Sequence, residues 1–264
     1  MAYQENIIDI KKWVEHEIHC KGRYGRKGEK RGEKKKPSPE QMARQNQKNR
    51  VKRLRWVIRE NFDEGDLFLT IKYHKGDRPG VDRFSKDFRN FRNKLQRLYK
   101  KAGVPMKYVY RMEIGRNGGA HIHLILNRAD GISLADIQAK WEHGRINAQT
   151  LYEEGGYREL AEYMTKMPEW TEAQQFTMFM EHGNRMWSFN TSRNLIRPKP
   201  KIRHFKRRTI EKMIRDGIRP RDGYRIMPET IEYGVNPFTG MTYLNYTEER
   251  VTGTAKGARQ KVPI

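Results

Sequence analysis

Two histidines one residue apart are the part of this chain best suited to chemistry. They lie in the segment Gly119-Ala120-His121-Ile122-His123, which continues into an apolar run. Alternate residues of a strand point to the same face, so both imidazoles share one face and the apolar side chains share the other. Two neutral ring nitrogens on one face can bind a divalent metal. The alternative is an exposed or hydrogen-bonded histidine pair on the surface of a sheet.

The carboxylate of Glu113 is the predicted third metal ligand. The turn-rich residues 115–119 follow its strand, so this strand and the histidine strand are expected to pair as an antiparallel hairpin. If Ile114 faces Ala120, then Glu113 faces His121. Two imidazoles, one carboxylate and open positions suit Mn²⁺ or Mg²⁺ when phosphate completes the coordination. The alternative for Glu113 is a salt bridge with a neighbouring arginine.

A tyrosine and a lysine three residues apart, Tyr163 and Lys166, fall on a predicted helix over residues 157–167. Residues at this spacing share a helix face, so a phenol oxygen and an ammonium can approach one phosphate together. The phenol, with a pKa of about 10, needs a cation or a metal nearby to act as a nucleophile. The alternative is that Tyr163 belongs to the apolar side of its helix, and Tyr157 and Tyr152 are rival nucleophiles.

Alternating and helical periodicities place these residues in one α+β domain. The predicted strands cover residues 67–73, 108–114, 120–127, 145–151 and 186–190, and the predicted helices cover residues 84–102, 133–141 and 157–167. The order β α β β α β α β is that of a ferredoxin-like or RRM-like antiparallel sheet with helices on one face. We expect the other face, which carries the histidines, to stay open for a nucleic-acid strand.

The charge of the chain indicates a polyanionic partner. Its 264 residues include 55 Lys and Arg against 32 Asp and Glu, a formal net charge of +23, and nucleic acid is the commonest partner of such a surface. No apolar run approaches the length of a membrane span or a signal peptide, so we expect a cytoplasmic protein without membrane contact. The single cysteine, Cys20, excludes an internal disulfide framework and a cysteine-rich zinc module.

Basic extensions are predicted on both sides of a catalytic domain of residues 63–198. Residues 1–62 form a basic N-terminal arm and helix, and residues 199–264 form a basic α/β C-terminal extension. Within them we expect an amphipathic helix over residues 7–18, a basic arm over 21–36, a helix from Ser38 to about Asn61, a helix over 209–216 and a hairpin over 230–246. The arms either contact phosphate or serve as solvated linkers.

Taken in order, these motifs resemble those of the HUH endonucleases, above all the rolling-circle replication initiators (Rep proteins) of plasmids and phages. Phe68-Leu-Thr-Ile-Lys-Tyr73 resembles the first motif, His121-Ile-His123 the metal motif, and Tyr163-Met-Thr-Lys166 the YxxK nucleophile motif. Ser192-Arg-Asn-Leu-Ile-Arg-Pro198 resembles the end of the nuclease domain in many bacterial members. The resemblance covers about half of the chain and implies the HUH nuclease fold.

The resemblance also implies a mechanism and its partners. Tyr163 would attack a phosphate of single-stranded DNA at an origin hairpin and form a 5′-phosphotyrosyl link, with Lys166 steadying charge or holding Tyr163. Mn²⁺ or Mg²⁺ held by Glu113, His121 and His123 would polarise that phosphate. A polymerase of the bacterial host would extend the free 3′-OH. A host helicase would unwind the DNA, because the sequence has no GxxxxGK[ST] loop.

Two other functions remain open, and both use the same basic surface. One is a non-catalytic RRM-like module, which predicts exposed aromatic residues on the central strands, where only Phe68 and Tyr73 are candidates and Tyr73 falls on the buried side. The other is an HUH transposase or mobilisation nuclease with the same chemistry. In each case we expect DNA contacts from five residues, namely Thr70, Lys72, Arg111, Arg116 and Arg193.

Overall fold

The computed structural model describes residues 3–21, 37–114, 119–152, 157–166, 189–236, 240–251 and 261–263. In these residues the fold is α+β, as predicted, with two antiparallel five-stranded sheets and five helices. The chain forms two compact units, one of Arg44–Ile196 and one that combines Met1–Ala43 with Arg197–Ile264. The predicted chemistry falls in the first unit, and the domain boundaries proposed from the sequence stay predictions.

The elements are numbered along the chain. The strands are β1 (Tyr3–Ile10), β2 (Trp13–Cys20), β3 (Leu67–Tyr73), β4 (Tyr108–Ile114), β5 (Ala120–Leu126), β6 (Gly144–Thr150), β7 (Asn190–Thr191), β8 (Lys201–Phe205), β9 (Tyr224–Val235) and β10 (Thr242–Arg250). The helices are α1 (Pro39–Asn61), α2 (Val81–Lys101), α3 (Leu134–Gln138), α4 (Arg158–Thr165) and α5 (Arg207–Asp216). Each strand and helix predicted between residues 67 and 151 is therefore present.

The sheet of the unit Arg44–Ile196 has the order β6-β3-β5-β4-β7, and an apolar core closes one of its faces. Strand β3 alternates between buried and half-buried residues, and α2 repeats large apolar residues every three or four positions. These two patterns meet in one cluster that includes Leu69, Ile71, Phe84, Phe88, Phe91, Leu95, Ile122 and Leu124. The histidines of β5, which alternate with Ile122 and Leu124, consequently point to the opposite face.

That opposite face is not open along its whole length, and the expectation of helices on one face only is wrong. Helices α1 and α4 cover one end of it. The cluster beneath them includes Leu54, Ile58 and Phe62 of α1 and its C-terminal end, Val109 of β4, Ile125 of β5, and Ala161 and Met164 of α4. Val109 and Ile125 lie on the histidine side of the sheet, and their apolar surface needs this cover.

The second unit has the sheet order β8-β1-β2-β10-β9, and here the sequence prediction for residues 7–18 is wrong. These residues are not a helix but the hairpin of β1 and β2, with Lys11 at the turn in a left-handed conformation, φ 42°. The segment is rich in β-branched residues, and its pairing with β8 and β10 supplies the ladders that favour strands over a helix. The helix α5 and the hairpin of β9 and β10 occur where predicted.

Several other sequence expectations can be compared with the fold. Helix α1 begins as predicted, with the Ser38 hydroxyl accepting from the amide of Gln41, whose side chain accepts from the Ser38 amide. The basic arm lies largely outside the described residues, as do Arg116 and residues 186–188 of the predicted fifth strand. None of the helices in the described ranges is long and apolar enough to cross a membrane.

Asn61 fastens the end of α1 to the chain that follows β7. Its Nδ2 donates to the carbonyl oxygens of Val57 and Ile196 at 2.8 and 2.7 Å, and its Oδ1 accepts from the Ile196 amide at 2.8 Å. The residue is 3% exposed, so water has little access to replace these bonds. Asn61 thereby holds α1 over the histidine face of the sheet.

We predict that Asn61→Ala destabilises the protein by about 1–3 kcal/mol, because the amide and carbonyl of Ile196 lose a buried partner. Urea unfolding followed by circular dichroism measures this change. The matched control is Asn46→Ala on the exposed part of the same helix, which should alter the free energy of unfolding by less than about 0.7 kcal/mol. Equal effects of the two substitutions would contradict the anchoring role of Asn61.

Candidate functional site

Strand register arranges the candidate residues in two neighbouring rows across the sheet. One row runs Arg145, Lys72, His121, Glu113, and the next runs Asn147, Thr70, His123, Arg111. The predicted pairings of Ile114 with Ala120 and of Glu113 with His121 are both present. Because side chains of a cross-strand row share one face, four strands contribute polar groups to the same surface.

Glu113, His121 and His123 form a possible metal site. Their ligand atoms all lie within 4.8 Å of one another. The Glu113 Oε2 atom is 3.6 Å from His123 Nε2 and 3.9 Å from His121 Nε2. Two imidazole nitrogens and one carboxylate oxygen fit a divalent ion and leave coordination positions for a substrate.

The electrostatics of this group favour the protonation states that bind a metal. The hydrogen bond with His123 and the charge of Arg111 hold the pKa of Glu113 below its ordinary value, although burial opposes them. Burial lowers the pKa of His121, and the neighbouring His123 lowers it further. At neutral pH the carboxylate of Glu113 is therefore ionised and the imidazole of His121 is neutral, as metal ligation requires.

Tyr163 places its hydroxyl directly on this group. Its Oη atom is 2.8 Å from His123 Nε2, and the two rings lie 4.8 Å apart at 79°. Phe68 stacks on the ring of His123 from β3 and meets the edge of Tyr163. Burial, reinforced by the charge of Glu113, raises the pKa of Tyr163, so the phenol is protonated at neutral pH. The hydroxyl lies on the histidine side of the sheet.

Helix α4 is fixed so that Tyr163 meets the sheet. Ala161 and Met164 are buried in the core under α4, whereas Tyr163 remains 43% exposed on the neighbouring side of the helix. The Gln47 amide of α1 donates to the carbonyl and hydroxyl oxygens of Thr165 at 3.0 and 3.1 Å. From the sheet, Arg111 Nη1 donates to the carbonyl oxygen of Tyr163 at 2.8 Å. Contacts from α1 and from the sheet therefore hold the C-terminal end of α4.

The other candidates for the nucleophilic motif lie elsewhere. Tyr157 is buried in the core beneath α4, and Tyr152 is exposed to solvent. Lys166 is exposed and follows the last residue of α4, so the argument from helical spacing does not extend to it. Its amide donates to the carbonyl oxygen of Tyr163 at 3.3 Å. The proposed role of the Lys166 ammonium stays a prediction.

A cavity of about 280 Å³ opens beside Tyr163, and we call it the Tyr163 cavity. Its lining residues are Thr70, Lys72, His121, His123, Asn147, Gln149 and Tyr163. Among the predicted DNA contacts, Thr70 and Lys72 line this cavity, Arg193 is exposed after β7, and Arg111 is only 2% exposed. Sequence reasoning missed Asn147 and Gln149, although alternation along the predicted strand β6 could have placed both on the histidine face.

The comparisons with known proteins give the class and then the family. Residues 66–168 match a family model described as a replication-associated protein, of the ORF2 type found in phages. This segment runs from β3 to α4 and includes the metal-type group and Tyr163. The chain thus carries a domain of the phage rolling-circle Rep family, and the resemblance to replication initiators is confirmed for these residues. No curated protein and no solved structure matches the chain significantly.

We predict that the wild-type protein binds one Mn²⁺ and that Tyr163→Phe binds it about two- to tenfold more tightly. The single lone pair of His123 Nε2 cannot accept a hydrogen bond from the phenol and ligate a metal at the same time. Removing that hydrogen bond, with a net value of about 0.5–1.5 kcal/mol, removes the competition. Titration of free Mn²⁺ by electron paramagnetic resonance measures the affinities.

Two further variants control this measurement. His121→Ala should weaken Mn²⁺ binding at least about tenfold, because the site loses a ligand. His74→Ala, at an exposed position after β3, should leave the affinity unchanged. Weaker binding by Tyr163→Phe than by the wild type would show that the phenol supports the metal site rather than competing with it.

Proposed function

We propose that this protein is a metal-dependent endonuclease and strand transferase that starts rolling-circle replication by nicking single-stranded origin DNA. The observation that carries the proposal is the contact of 2.8 Å between the hydroxyl of Tyr163 and His123, inside the group that includes Glu113 and His121. The match of residues 66–168 to the Rep family supports it. The proposed fold of this unit is the HUH nuclease fold, for which the antiparallel sheet and its histidine face are the support.

In the proposed reaction the hydroxyl oxygen of Tyr163 attacks the phosphorus of the scissile phosphodiester. A bond forms between phosphorus and the phenol oxygen, and the bond between phosphorus and O3′ breaks. The phenol proton passes to water and the leaving O3′ takes a proton, so the products are a 5′-phosphotyrosyl link and a free 3′-OH. The number of ester bonds is unchanged, and attack by a second 3′-OH can therefore rejoin a strand.

The residues around Tyr163 divide the remaining tasks. Glu113, His121 and His123 would hold Mn²⁺ or Mg²⁺, which supplies Lewis-acid polarisation of the phosphate. Lys72 lines the Tyr163 cavity and places a positive charge where a phosphate would enter. Lys166, at the end of α4, is proposed to steady the charge that develops there or to hold Tyr163. Phe68 packs against both aromatic partners and limits their movement.

The proposed substrate and partners follow from the same site. Single-stranded DNA from an origin hairpin would bind along the histidine face, with Thr70 and Lys72 as its nearest contacts and Arg116 and Arg193 as more distant ones. The net charge of +23 supports a polyanionic substrate. Polymerase and helicase would come from the bacterial host, and the reaction would take place in its cytoplasm.

The alternative of a non-catalytic RRM-like module has less support. Such a module needs exposed aromatic rings on the central strands, but Phe68 is packed between His123 and Tyr163. Tyr73 is buried on the other face. An HUH transposase or mobilisation nuclease would use the same residues, and the Rep family match favours replication over either.

We predict that Tyr163→Phe abolishes a covalent adduct that the wild-type protein forms with DNA. The protein is mixed with a library of labelled, randomised single-stranded oligonucleotides and Mn²⁺, and adducts that survive SDS are resolved on a gel. The variant lacks the nucleophile and should fall to background while retaining DNA in a filter-binding assay. Chelation of the metal should have the same effect on the adduct.

The rival tyrosines provide the controls for this prediction. Tyr152→Phe and Tyr157→Phe should both form the adduct, because neither hydroxyl lines the Tyr163 cavity. An adduct that persists in Tyr163→Phe and is lost in Tyr157→Phe would show that Tyr157 is the nucleophile. The absence of any adduct with the wild-type protein would favour the binding module.

A further inference from the structure

The Tyr163 cavity has two chemically different sides. Lys72, His121 and His123 form an ionisable side next to the phenol. Asn147 and Gln149 form an uncharged side on β6, which is an edge strand of its sheet. The ionisable side is suited to a phosphate, whereas the amide side offers hydrogen bonds without charge.

The amide side matches the chemistry of a nucleobase. A carboxamide presents a donor and an acceptor in one plane, which is the pattern that asparagine and glutamine use to bind base edges. In single-stranded DNA these edges are unpaired and accessible. A phosphate would gain little from two uncharged amides, because charge-assisted hydrogen bonds are about twice as strong as neutral ones.

Register and size allow one nucleotide to span both sides. Asn147 pairs with Thr70 and Thr70 pairs with His123, so two strand spacings, about 10 Å, separate the strand of the amides from the strand of the metal-type group. The cavity volume of about 280 Å³ is that of a small ligand site. Asn147 and Gln149 are two residues apart and share one face, so both amides can address the same ligand.

We propose that Asn147 and Gln149 form a base-recognition subsite that reads the nucleotide next to the scissile phosphate. The inference rests on the proposed function, because it needs the phosphate of that nucleotide to lie at the metal-type group. The two amides then select sequence, whereas Lys72 and the histidines act on the backbone. The ligand class is a single unpaired nucleotide of the DNA strand.

Sequencing of captured DNA tests this subsite. The wild-type protein is incubated with a randomised single-stranded library and Mn²⁺, the SDS-resistant adducts are isolated, and the bound sequences are aligned on the nick. Asn147→Ala and Gln149→Ala should lose the preference at one position beside the nick, with about a tenfold fall in discrimination there. The preferences at the other positions should remain.

The matched control is Thr150→Ala, at an exposed position of the same strand whose side chain belongs to the opposite face. It should leave every preference unchanged. If the two amide variants select the same sequences as the wild type, the subsite is refuted while the nicking function stands. If the wild-type protein captures no DNA, the proposed function itself fails.

An independent observation concerns Arg111, whose guanidinium is buried with few partners. The buried Nε atom has no hydrogen-bond partner among the described residues, and the Nη2 atom is 3.9 Å from Glu113 Oε2. A buried charge is costly when it is incompletely paired. The short bond of this side chain runs from Nη1 to the carbonyl oxygen of Tyr163, and in register Arg111 lies opposite His123.

We infer that Arg111 is a positioning residue that holds Tyr163 against His123, and not one of the DNA contacts expected from the sequence. Its side chain connects the strand of Glu113 with the end of α4, so the two halves of the site keep one spacing. Burial leaves too little of the guanidinium exposed to contact a phosphate. This inference also rests on the proposed function.

Separate measurement of DNA affinity and adduct rate tests the role of Arg111. At saturating DNA, Arg111→Met should form the adduct about 100-fold more slowly than the wild type, because a displaced nucleophile loses its alignment. Its Kd for single-stranded DNA and the salt dependence of that Kd should stay within about twofold. Arg111→Lys, which keeps the charge but not the planar fork, should recover only part of the rate.

Each other result has a defined meaning. A weaker Kd with a shallower salt dependence would make Arg111 a DNA contact after all, and an unchanged adduct rate would exclude a positioning role. Thermal melting checks that the variants fold, and if Arg111→Met does not fold, the same comparison is made with Arg111→Lys. The wild-type adduct, measured in parallel, shows whether the nicking function itself holds.

Discussion

The register between β4 and β5 is the constraint on which the candidate site depends. Side chains alternate along a strand, so a slip of one residue would turn Glu113 to the apolar face and away from His121. The opposite face prevents that slip, because Met112 pairs with Ile122 and Ile114 with Ala120 on the side that α2 covers. The apolar pattern of the hairpin therefore fixes the geometry of its polar groups, and the carboxylate meets the imidazoles without any long-range adjustment.

The partial cover of the histidine face gives the two ends of the sheet different properties. Under α1 and α4 the surface is apolar and excludes water, whereas toward β6 it is polar and accessible. The ring of His123 is buried close to the covered end, and His121 is more accessible. This gradient lets one side of the site hold a phenol and an imidazole in fixed contact while the other side can receive a strand of DNA.

The sequence predicted the parts of the structure that depend on local periodicity and on pairing across a short turn. Strands β3, β4 and β5, helix α2 and the facing of Glu113 and His121 belong to this group. The hairpin of β1 and β2 was missed, because its partners β8 and β10 follow about 180 to 230 residues later and a local pattern of isoleucines does not reveal them. The cover by α1 and α4, the burial of Arg111 and the position of Lys166 beyond the helix also depend on tertiary packing.

The composition of the second sheet affects the order in which the chain can fold. Strand β2 pairs with β10, which the ribosome adds roughly 230 residues later, about 10–50 s at usual rates of synthesis. The intervening unit Arg44–Ile196 is continuous in sequence, so it can acquire its structure during that interval. The first hairpin to leave the ribosome thus waits with an unpaired edge until nearly the whole polypeptide has emerged, and this is the stage at which a chaperone would protect it.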